Sequence, residues 1–411
     1  MNLPIVNSSK TTPTLYLRNK MNASLSQSEV MMINLASNIV NPNKSFIPIS
    51  TPSIGVLEIE AVNDAVRSGW VSSLGPYLEK FEIEFAKFCQ ASYALTVSNG
   101  TTALHLALAT NGIKGGDEVI VPNFTFVATA NAVKFTGAEP ILVDIDPLNY
   151  CISPDAIRKA ITPRTKAIIP VHIYGHPCDM DAINEIARER NLIVIEDAAE
   201  AHGALYKGKP VGGLSTCGVF SFYGNKIITT GEGGMLVTNN KELYERAKLL
   251  RDHAMSKERK YWHLEVGFNY RMTNIQAALG LAQLSQINHF IKARNEILAA
   301  YQNYFKKSEL INSNYASSWA SPVCWLVCAQ IPLLDDNKRQ IVINKLKEKG
   351  IDTRPFFYPI SDLPMYNGGA TPVTKKIACS GINLPTYIGL EDSEIEFIVN
   401  KLIDTLTIVV H

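Results

Sequence analysis

Short apolar runs alternate with helical patterns through the central part of the chain. From about Phe46 to Leu284, runs such as "DEVIVP", "EPILVDID", "TKAIIPVHIYG" and "NLIVIEDAA" are separated by amphipathic segments such as "DMDAINEIARER". Continuous apolar runs are typical of strands that are buried on both faces of a parallel sheet. The pattern therefore predicts an α/β fold built on a mainly parallel sheet.

The rest of the chain predicts two further units. The long helical stretch "NIQAALGLAQLSQINHFIKARNEILAAYQNYF" leads into a second α+β region, in which "VCWLVCAQIPLL" indicates a strand and "NKRQIVINKLKEKG" a helix ended by Gly350. The N-terminal residues are rich in Asn, Ser and Thr, and only "SQSEVMMINLASNIV" favours a short helix. We therefore expect an N-terminal extension of unknown role (1–45), a large domain (46–285) and a small C-terminal domain (286–411).

Composition excludes several classes of partner. Apolar residues make up 46% and charged residues 19% of the 411 residues, and the net charge of +1 favours neither nucleic acid nor an anionic membrane. No apolar run reaches the roughly 18 residues that cross a bilayer, and the N-terminus lacks a signal-peptide pattern. The seven cysteines are scattered without metal-ligand spacing. These features predict a cytoplasmic protein without a metal site.

The turn "SNGTT" is the first candidate for chemistry. It lies between the strand-like "ALTV" and the helical "TALHLALA", so its backbone N–H groups stand at a helix N-terminus, where phosphate can bind. Gly100 would let a phosphate approach the backbone closely. Ser98, Asn99 and Thr101 are also common helix caps, so simple capping is an equal alternative for this turn.

Asp197 and Lys226 are the second and third candidates. Asp197 ends an apolar strand, where open α/β sheets bind ligands, although it could also cap a helix. Lys226 lies in "FSFYGNKIITTGEGGMLV", which is not a P-loop because the lysine precedes Gly231, Gly233 and Gly234 and a strand follows. A single lysine is usually solvated. Together, a phosphate turn, a buried aspartate and a lysine are the parts that hold pyridoxal 5'-phosphate (PLP).

Ordered motifs from about Phe46 onward resemble one family. They include "VSNGTTALHLALA", "GDEVIVPNFTFVATANAV", "PVHIYGHPCDMD", "IEDAAEAHGA", "FSFYGNKIITTGEGGM" and "GFNYRMTNIQAALGLAQL". In these motifs the chain resembles the DegT/DnrJ/EryC/StrS sugar-nucleotide aminotransferases. The resemblance implies the PLP-dependent fold type I (aspartate aminotransferase-like) architecture, PLP as cofactor, and a homodimer with shared active sites.

The resemblance also implies a role for individual residues. Lys226 would form the covalent aldimine with PLP, Asp197 would pair with the pyridine nitrogen, and Glu200 would lie near the ring hydroxyl. The remaining cofactor residues would be Gly100, Thr101 and Ser221 at the phosphate, Phe126 stacked on the ring, and Asn269 reaching the neighbouring subunit's cofactor. Taken alone, Phe126 could be core, Ser221 a strand residue and Asn269 a turn former. His172 and His176 are candidates for the substrate or for structural roles, and His202 is expected to be structural.

Within the family, "NKIITTGEGGM", "KYWHLEVGFNYRMTN" and "TRPFFYPISDLPMY" are most similar to GDP-perosamine synthases. Such enzymes move the amino group of glutamate to the C4 ketone of GDP-4-keto-6-deoxymannose, for surface polysaccharide (O-antigen) synthesis. Related sugar 3-dehydratases carry histidine at the lysine position, so Lys226 argues against that reaction. The alternatives are another UDP- or dTDP-linked keto sugar, or a PLP-binding regulatory protein without turnover. Candidate substrate residues, with stacking and charged groups, are Trp70, Ser72, Tyr261, Trp262, His263, Arg354 and Phe356.

Overall fold

The computed structural model describes residues 46 to 410. The predictions for the N-terminal extension and its short helix lie outside these residues. The strands, in chain order, are β1 (Tyr93–Val97), β2 (Glu118–Pro122), β3 (Glu139–Val143), β4 (Thr165–Ile168), β5 (Ile193–Asp197), β6 (Leu205–Tyr206), β7 (Lys209–Pro210), β8 (Cys217–Ser221), β9 (Gly234–Thr238), β10 (Ala320–Ser321), β11 (Val327–Gln330), β12 (Arg354–Pro355) and β13 (Gly381–Leu384).

The α-helices that accompany these strands are, in chain order, α1 (Val56–Arg67), α2 (Pro76–Phe88), α3 (Gly100–Thr110), α4 (Ala128–Phe135), α5 (Pro154–Ala160), α6 (Met180–Arg190), α7 (Lys241–Arg251), α8 (Asn274–Ser285), α9 (Ile287–Phe305), α10 (Asp336–Glu348), α11 (Pro372–Cys379) and α12 (Asp392–Val410). Two 3₁₀ turns, Ile173–Gly175 and Ile360–Asp362, occur in loops. None of the helices within residues 46 to 410 has the length and apolarity to cross a membrane.

A seven-stranded mixed sheet forms the centre of the fold. Its order is β1-β9-β8-β5-β4-β2-β3. Within this sheet the neighbouring strands β8, β5, β4, β2 and β3 pair in parallel. Strand β9 pairs antiparallel with both β8 and β1. Every residue of β2, β8 and β9 is buried, because helices cover both faces of the sheet. The predicted α/β class with a mainly parallel mixed sheet is therefore confirmed.

The C-terminal region contains a smaller antiparallel sheet of order β11-β13-β12. Helices α10 and α12 pack beside it, and their apolar residues share one buried cluster with β11 and β13. Gly350 has a φ of 77°, which explains why the predicted helix stops just before it, at Glu348. The division between domains at residue 285 stays a prediction.

Two predicted elements differ in extent. The helical stretch that begins at Asn274 is two helices, α8 and α9, which meet at Gln286. There the Gln286 amide bonds to the Gln283 carbonyl in a tighter turn, and the Gln286 side chain donates to Glu58 across 2.6 Å. The run "VCWLVCAQIPLL" forms a strand only over Val327–Gln330. Apolar character alone did not define the strand, because residues 323–326 and Ile331 are buried outside the ladder.

Candidate active site

The candidate residues meet near the carboxyl ends of the central parallel strands. Asp197 is the last residue of β5, which lies between β4 and β8. The loop that follows β8 carries Lys226, and Glu200 follows β5 by three residues. Ligands of open α/β sheets bind at this edge, because loops from several strands open there together.

The Asp197 carboxylate is buried and held by two hydrogen bonds. Thr129 Oγ1 donates to Oδ2 across 2.8 Å, and the Ala199 amide donates to Oδ1 across 3.2 Å. Burial raises the pKa of Asp197, while these donors and the Lys226 charge act against the rise. A cation placed against this carboxylate would restore its charged form.

Lys226 lies between a carboxylate and an aromatic face. Its Nζ is 3.8 Å from Glu200 Oε1 and 4.0 Å from the centroid of the Trp325 ring. Burial lowers the pKa of the Lys226 amine, whereas Glu200 and Asp197 act in the opposite direction. A lysine whose amine is partly desolvated is a better nucleophile than a solvated one.

Glu200 is positioned by an unusual backbone conformation. Its Oε2 accepts a 2.7 Å hydrogen bond from the Tyr174 amide, and Tyr174 has a left-handed φ of 51° inside the 3₁₀ turn Ile173–Gly175. A non-glycine residue adopts this conformation at an energetic cost, which the surrounding packing must offset. Burial raises the pKa of Glu200 to about 7, so its carboxyl can exchange a proton near neutral pH.

The turn before α3 is the candidate anion-binding site. Asn99 caps the helix by accepting from the Thr102 amide across 2.9 Å. For the amides of Gly100 and Thr101, by contrast, residues 46 to 410 provide no acceptor. A Cβ at Gly100 would lie 2.9 Å from the Ser221 Cβ, so only glycine lets this turn approach Ser221. The two amides and the Ser221 hydroxyl are suited to a phosphate.

A glycine of the lysine loop supports the same turn. A Cβ at Gly234, the first residue of β9, would lie 2.6 Å from the Asn99 carbonyl carbon and 2.9 Å from the Gly100 nitrogen. The backbone of β9 therefore lies directly against the anion-binding turn. The absence of a side chain at Gly234 permits this close approach.

Phe126 and Asn269 are both exposed. Phe126 is the candidate for stacking on the cofactor ring, and Asn269 is the candidate for reaching the neighbouring subunit's cofactor. Phe126 is 56% exposed, and its ring centroid is 6.0 Å from that of Phe357. Asn269 is exposed, and its Oδ1 accepts from Arg271 Nε across 3.1 Å. Both side chains therefore have a free surface for a further group. Their predicted contacts with a cofactor ring and with a second subunit's phosphate stay predictions.

Most candidate substrate residues are exposed, and one is buried. The exposed members are Trp70, Ser72, Tyr261, Trp262, His263 and Arg354. Phe356 is fully buried, and a Cβ on Gly381 would lie 2.0 Å from its ring. The ring of Phe356 packs in the core, and its predicted contact with substrate stays a prediction. The half-buried Phe357, next to Phe126, has the more suitable position.

The three histidines near the site are buried. His172 Nδ1 accepts from the Cys178 amide across 3.0 Å, and its Nε2 lies 3.2 Å from Glu196. His176 Nε2 accepts from the Ser317 amide across 3.1 Å, and its Nδ1 lies 2.7 Å from the Pro177 carbonyl. Burial lowers the pKa of His202 to about 3, so it is neutral. The hydrogen bonds favour the structural interpretation of His172 and His176, and the buried, neutral ring of His202 is consistent with its expected structural role.

Sequence reasoning missed Thr129, Tyr174 and Trp325. Thr129 follows Phe126 in the "NFTFVATANAV" motif, so the motif itself offered a signal. Tyr174 acts through its backbone amide, which no residue type encodes. Trp325 lies in a run that indicates a strand, and its contact with Lys226 depends on the C-terminal region folding against the loop after β8.

Comparisons with known proteins place the chain in one family. The model of the DegT/DnrJ/EryC1/StrS aminotransferase family matches residues 52 to 403. The chain is 46% identical over 359 residues to a GDP-perosamine synthase of Escherichia coli O157:H7, covering 87% of this chain and 98% of the relative. It is 44% identical over 360 residues to a GDP-perosamine synthase of Caulobacter vibrioides, covering 87% and 97% respectively.

A solved structure matches the fold at lower identity. The PLP form of a Streptococcus pneumoniae protein superimposes with a TM-score of 0.84 at 27% identity, covering 89% of this chain and 99% of the other. The family match spans most of the chain, and the predicted fold and enzyme class are both confirmed. The chain therefore belongs to the DegT/DnrJ/EryC1/StrS aminotransferase family.

Proposed function

We propose that this aminotransferase uses PLP to move the amino group of glutamate to the C4 ketone of GDP-4-keto-6-deoxymannose, for surface polysaccharide (O-antigen) synthesis. We further propose that it acts as a cytoplasmic homodimer. Three relatives at 39% to 46% identity, all named GDP-perosamine synthase, support this substrate. The observation that carries the chemistry is the position of Lys226, whose Nζ lies 3.8 Å from the Glu200 carboxylate in a largely buried site.

The residues present fit the cofactor. The amides of Gly100 and Thr101 lack acceptors within residues 46 to 410, and with the Ser221 hydroxyl they would hold the phosphate. The buried Asp197 carboxylate would face the protonated ring nitrogen, and Phe126 would cover one face of the ring. When bound, PLP supplies an aldehyde that exchanges amines and a ring that accepts electrons from the adjacent carbon.

Lys226 would act in two ways. Its Nζ would anchor the cofactor covalently, and after release it would take the proton from Cα of the glutamate donor and later deliver a proton to the sugar C4. Asp197 would keep the ring nitrogen protonated. A charge pair at about 4 Å and an effective dielectric of about 20 is worth about 4 kcal/mol, whereas one helix N-terminus offers an anion about 0.3–1 kcal/mol. Loss of Asp197 should therefore impair the reaction more than loss of one phosphate donor.

Borohydride trapping tests the covalent anchor. We expect the purified protein to turn yellow with PLP, and reduction to leave a stable adduct on the Lys226 peptide. Lys226→Ala should lose both the adduct and amino transfer. A colourless protein without an adduct would overturn the cofactor assignment. Incubation with glutamate alone, read by the release of 2-oxoglutarate, separates an aminotransferase from a PLP-binding protein without turnover.

A panel of nucleotide-linked 4-keto sugars tests the substrate. Each is incubated with glutamate and the holoenzyme, and the amino sugar is detected by mass. We expect the GDP-linked 6-deoxymannose ketone to be aminated fastest. If that compound is inert while a UDP- or dTDP-linked ketone is aminated, the GDP-perosamine proposal is wrong and the alternative holds.

Mixing two variants, each impaired in one of the two residues, tests the shared active site. Lys226→Ala and Asn269→Ala subunits, unfolded and refolded together, should form mixed dimers with one intact site if Asn269 serves the neighbouring subunit. Random pairing then restores about a quarter of the wild-type activity. If Asn269 serves its own subunit, the mixture gains no activity over the separately refolded variants.

A further inference from the structure

Trp325 presents the face of its indole ring to the nucleophile. Lys226 Nζ lies above that ring, 4.0 Å from its centroid, and Trp325 is only 4% exposed. Glu200 Oε1 lies 3.8 Å from the same nitrogen. The amine therefore has an electron-rich ring and a carboxylate as neighbours, and little water to compete with either.

Trp325 is fixed at three points, two on its ring and one on its backbone. Its Nε1 donates to the carbonyl of Asn225, the residue before the lysine, across 2.9 Å. Its own carbonyl accepts from the buried Arg294 across 2.8 Å. The ring also stacks on Tyr174, with centroids 6.0 Å apart and planes inclined by 18°. Trp325 thus connects the lysine loop with the turn that positions Glu200.

An aromatic face distinguishes the two protonation states of the lysine. The ring quadrupole attracts the ε-ammonium, and in a desolvated site this preference is roughly tenfold or more over the neutral amine. The other titratable groups that influence this nitrogen are Glu200 and Asp197, which favour the ammonium, and His202, which burial keeps neutral. The ring therefore favours the ammonium form of Lys226, as the two carboxylates do, and opposes desolvation, which favours the neutral amine.

We propose that Trp325 is a further catalytic residue, whose indole face holds the ε-ammonium of Lys226 whenever that amine is not bonded to the cofactor. This inference rests on the proposed role of Lys226. A released lysine must stay next to the reacting carbons and change its protonation state there. The ring keeps Nζ in place and, by favouring the charged form, sets the balance between its action as base and as acid.

The test measures Lys226 directly, in the full chain freed of cofactor. The protein is treated with acetic anhydride across a pH series, and acetylation of the Lys226 peptide is quantified by mass spectrometry. Trp325 is replaced site-specifically by tryptophans of increasing fluorination, which weaken the ring quadrupole at nearly constant shape. We expect the pH midpoint of acetylation to fall with each step, reaching a roughly tenfold gain in reactivity at a fixed pH.

Two substitutions complete the experiment. Trp325→Leu removes the face and should lower the midpoint at least as far as the most fluorinated ring. Trp319→Leu is the matched control, because Trp319 packs on Tyr206 and His176 instead, and its midpoint should stay at the wild-type value. If Trp325→Leu fails to fold, the fluorinated series still decides the question.

A midpoint that is constant across the fluorinated series would overturn the proposal, because packing alone does not depend on the ring quadrupole. Failure of the proposed function gives a different result. In that case the wild-type protein forms no borohydride adduct on Lys226, whatever the Trp325 series shows. The two ideas can therefore fail separately.

Discussion

Thr129 Oγ1 donates a 2.8 Å hydrogen bond to Asp197 Oδ2 in the buried interior. The bond favours the ionised carboxylate, which burial disfavours. Thr129→Val keeps the shape and removes the donor, so we expect the affinity for PLP to fall by about tenfold or more, as for loss of a hydrogen bond to a charged group. Absorbance titration with PLP measures this, and Thr129→Ser, which retains the hydroxyl, should bind nearly as the wild type. Equal affinity of the valine variant would contradict the role.

Glu200 should make the stability of the cofactor-free protein depend on pH. Burial raises its pKa from 4.5 to about 7. Because the folded-state pKa lies above the unfolded value, its stabilisation is complete below about pH 4.5 and is lost as the pH rises through 7. Glu200→Gln cannot titrate, so its free energy of unfolding relative to wild type should rise over this window, by about 3 kcal/mol at most.

Urea unfolding of the two proteins at about pH 5, 6 and 8 measures that difference. Glu309→Gln, at an exposed position, is the control for the loss of one negative charge. A constant difference between Glu200→Gln and wild type across the series would show that the Glu200 carboxyl does not change its proton occupancy on folding.

Gly234 should tolerate no side chain, whereas Gly224 in the same loop should. A Cβ at position 234 would lie 2.6 Å from backbone atoms of Asn99, which cannot move without displacing the anion-binding turn. Overpacking of this kind costs about 1–3 kcal/mol. We expect Gly234→Ala to lose stability by this amount and to bind PLP weakly. Gly224→Ala, which has nothing within 4 Å of the new Cβ, should differ little from wild type in thermal unfolding and PLP titration.

Asn274 should control the loop that carries Trp70 and Ser72. Its Nδ2 donates to the Trp70 carbonyl across 2.7 Å, and its Oδ1 accepts from the Tyr77 amide across 2.9 Å. Asn274→Ala leaves both groups unpaired, at a cost of about 1–3 kcal/mol. We expect a higher KM for the nucleotide sugar and an unchanged KM for glutamate.

Steady-state kinetics with each substrate varied in turn checks the Asn274 prediction. The control is Asn240→Ala, which removes the cap of α7 and so lowers stability without touching the loop. If both variants raise the KM for the sugar equally, the effect comes from stability and the positioning role of Asn274 is wrong.

The sequence predicted the sheet and the centre of the site because both depend on local patterns. A strand buried on both faces is a continuous apolar run, as in β2, and the candidate carboxylate Asp197 lies where such a run ends. The turn at Gly100 was predicted for the same reason, since a strand, a glycine and a capped helix are adjacent in sequence.

The remaining features arise from tertiary packing. Thr129 and Asp197 are 68 residues apart, and Asn225 and Trp325 are 100 residues apart, so no local pattern links them. The choice between Phe356 and Phe357 depends on which ring packs against Gly381, and neighbouring phenylalanines do not reveal this. Gln286 likewise divides a continuous helical pattern through a contact with the distant Glu58.

The contact between Trp325 and Lys226 has a consequence for biosynthesis. Ribosomes add about 5–20 residues per second, so the nascent chain carries Lys226 for about 5–20 s before the codon for Trp325 is read. During that interval the lysine lacks the aromatic ring that contacts it in the finished protein. A nascent chain that stops short of residue 325 therefore has the proposed nucleophile but not the complete pocket around it.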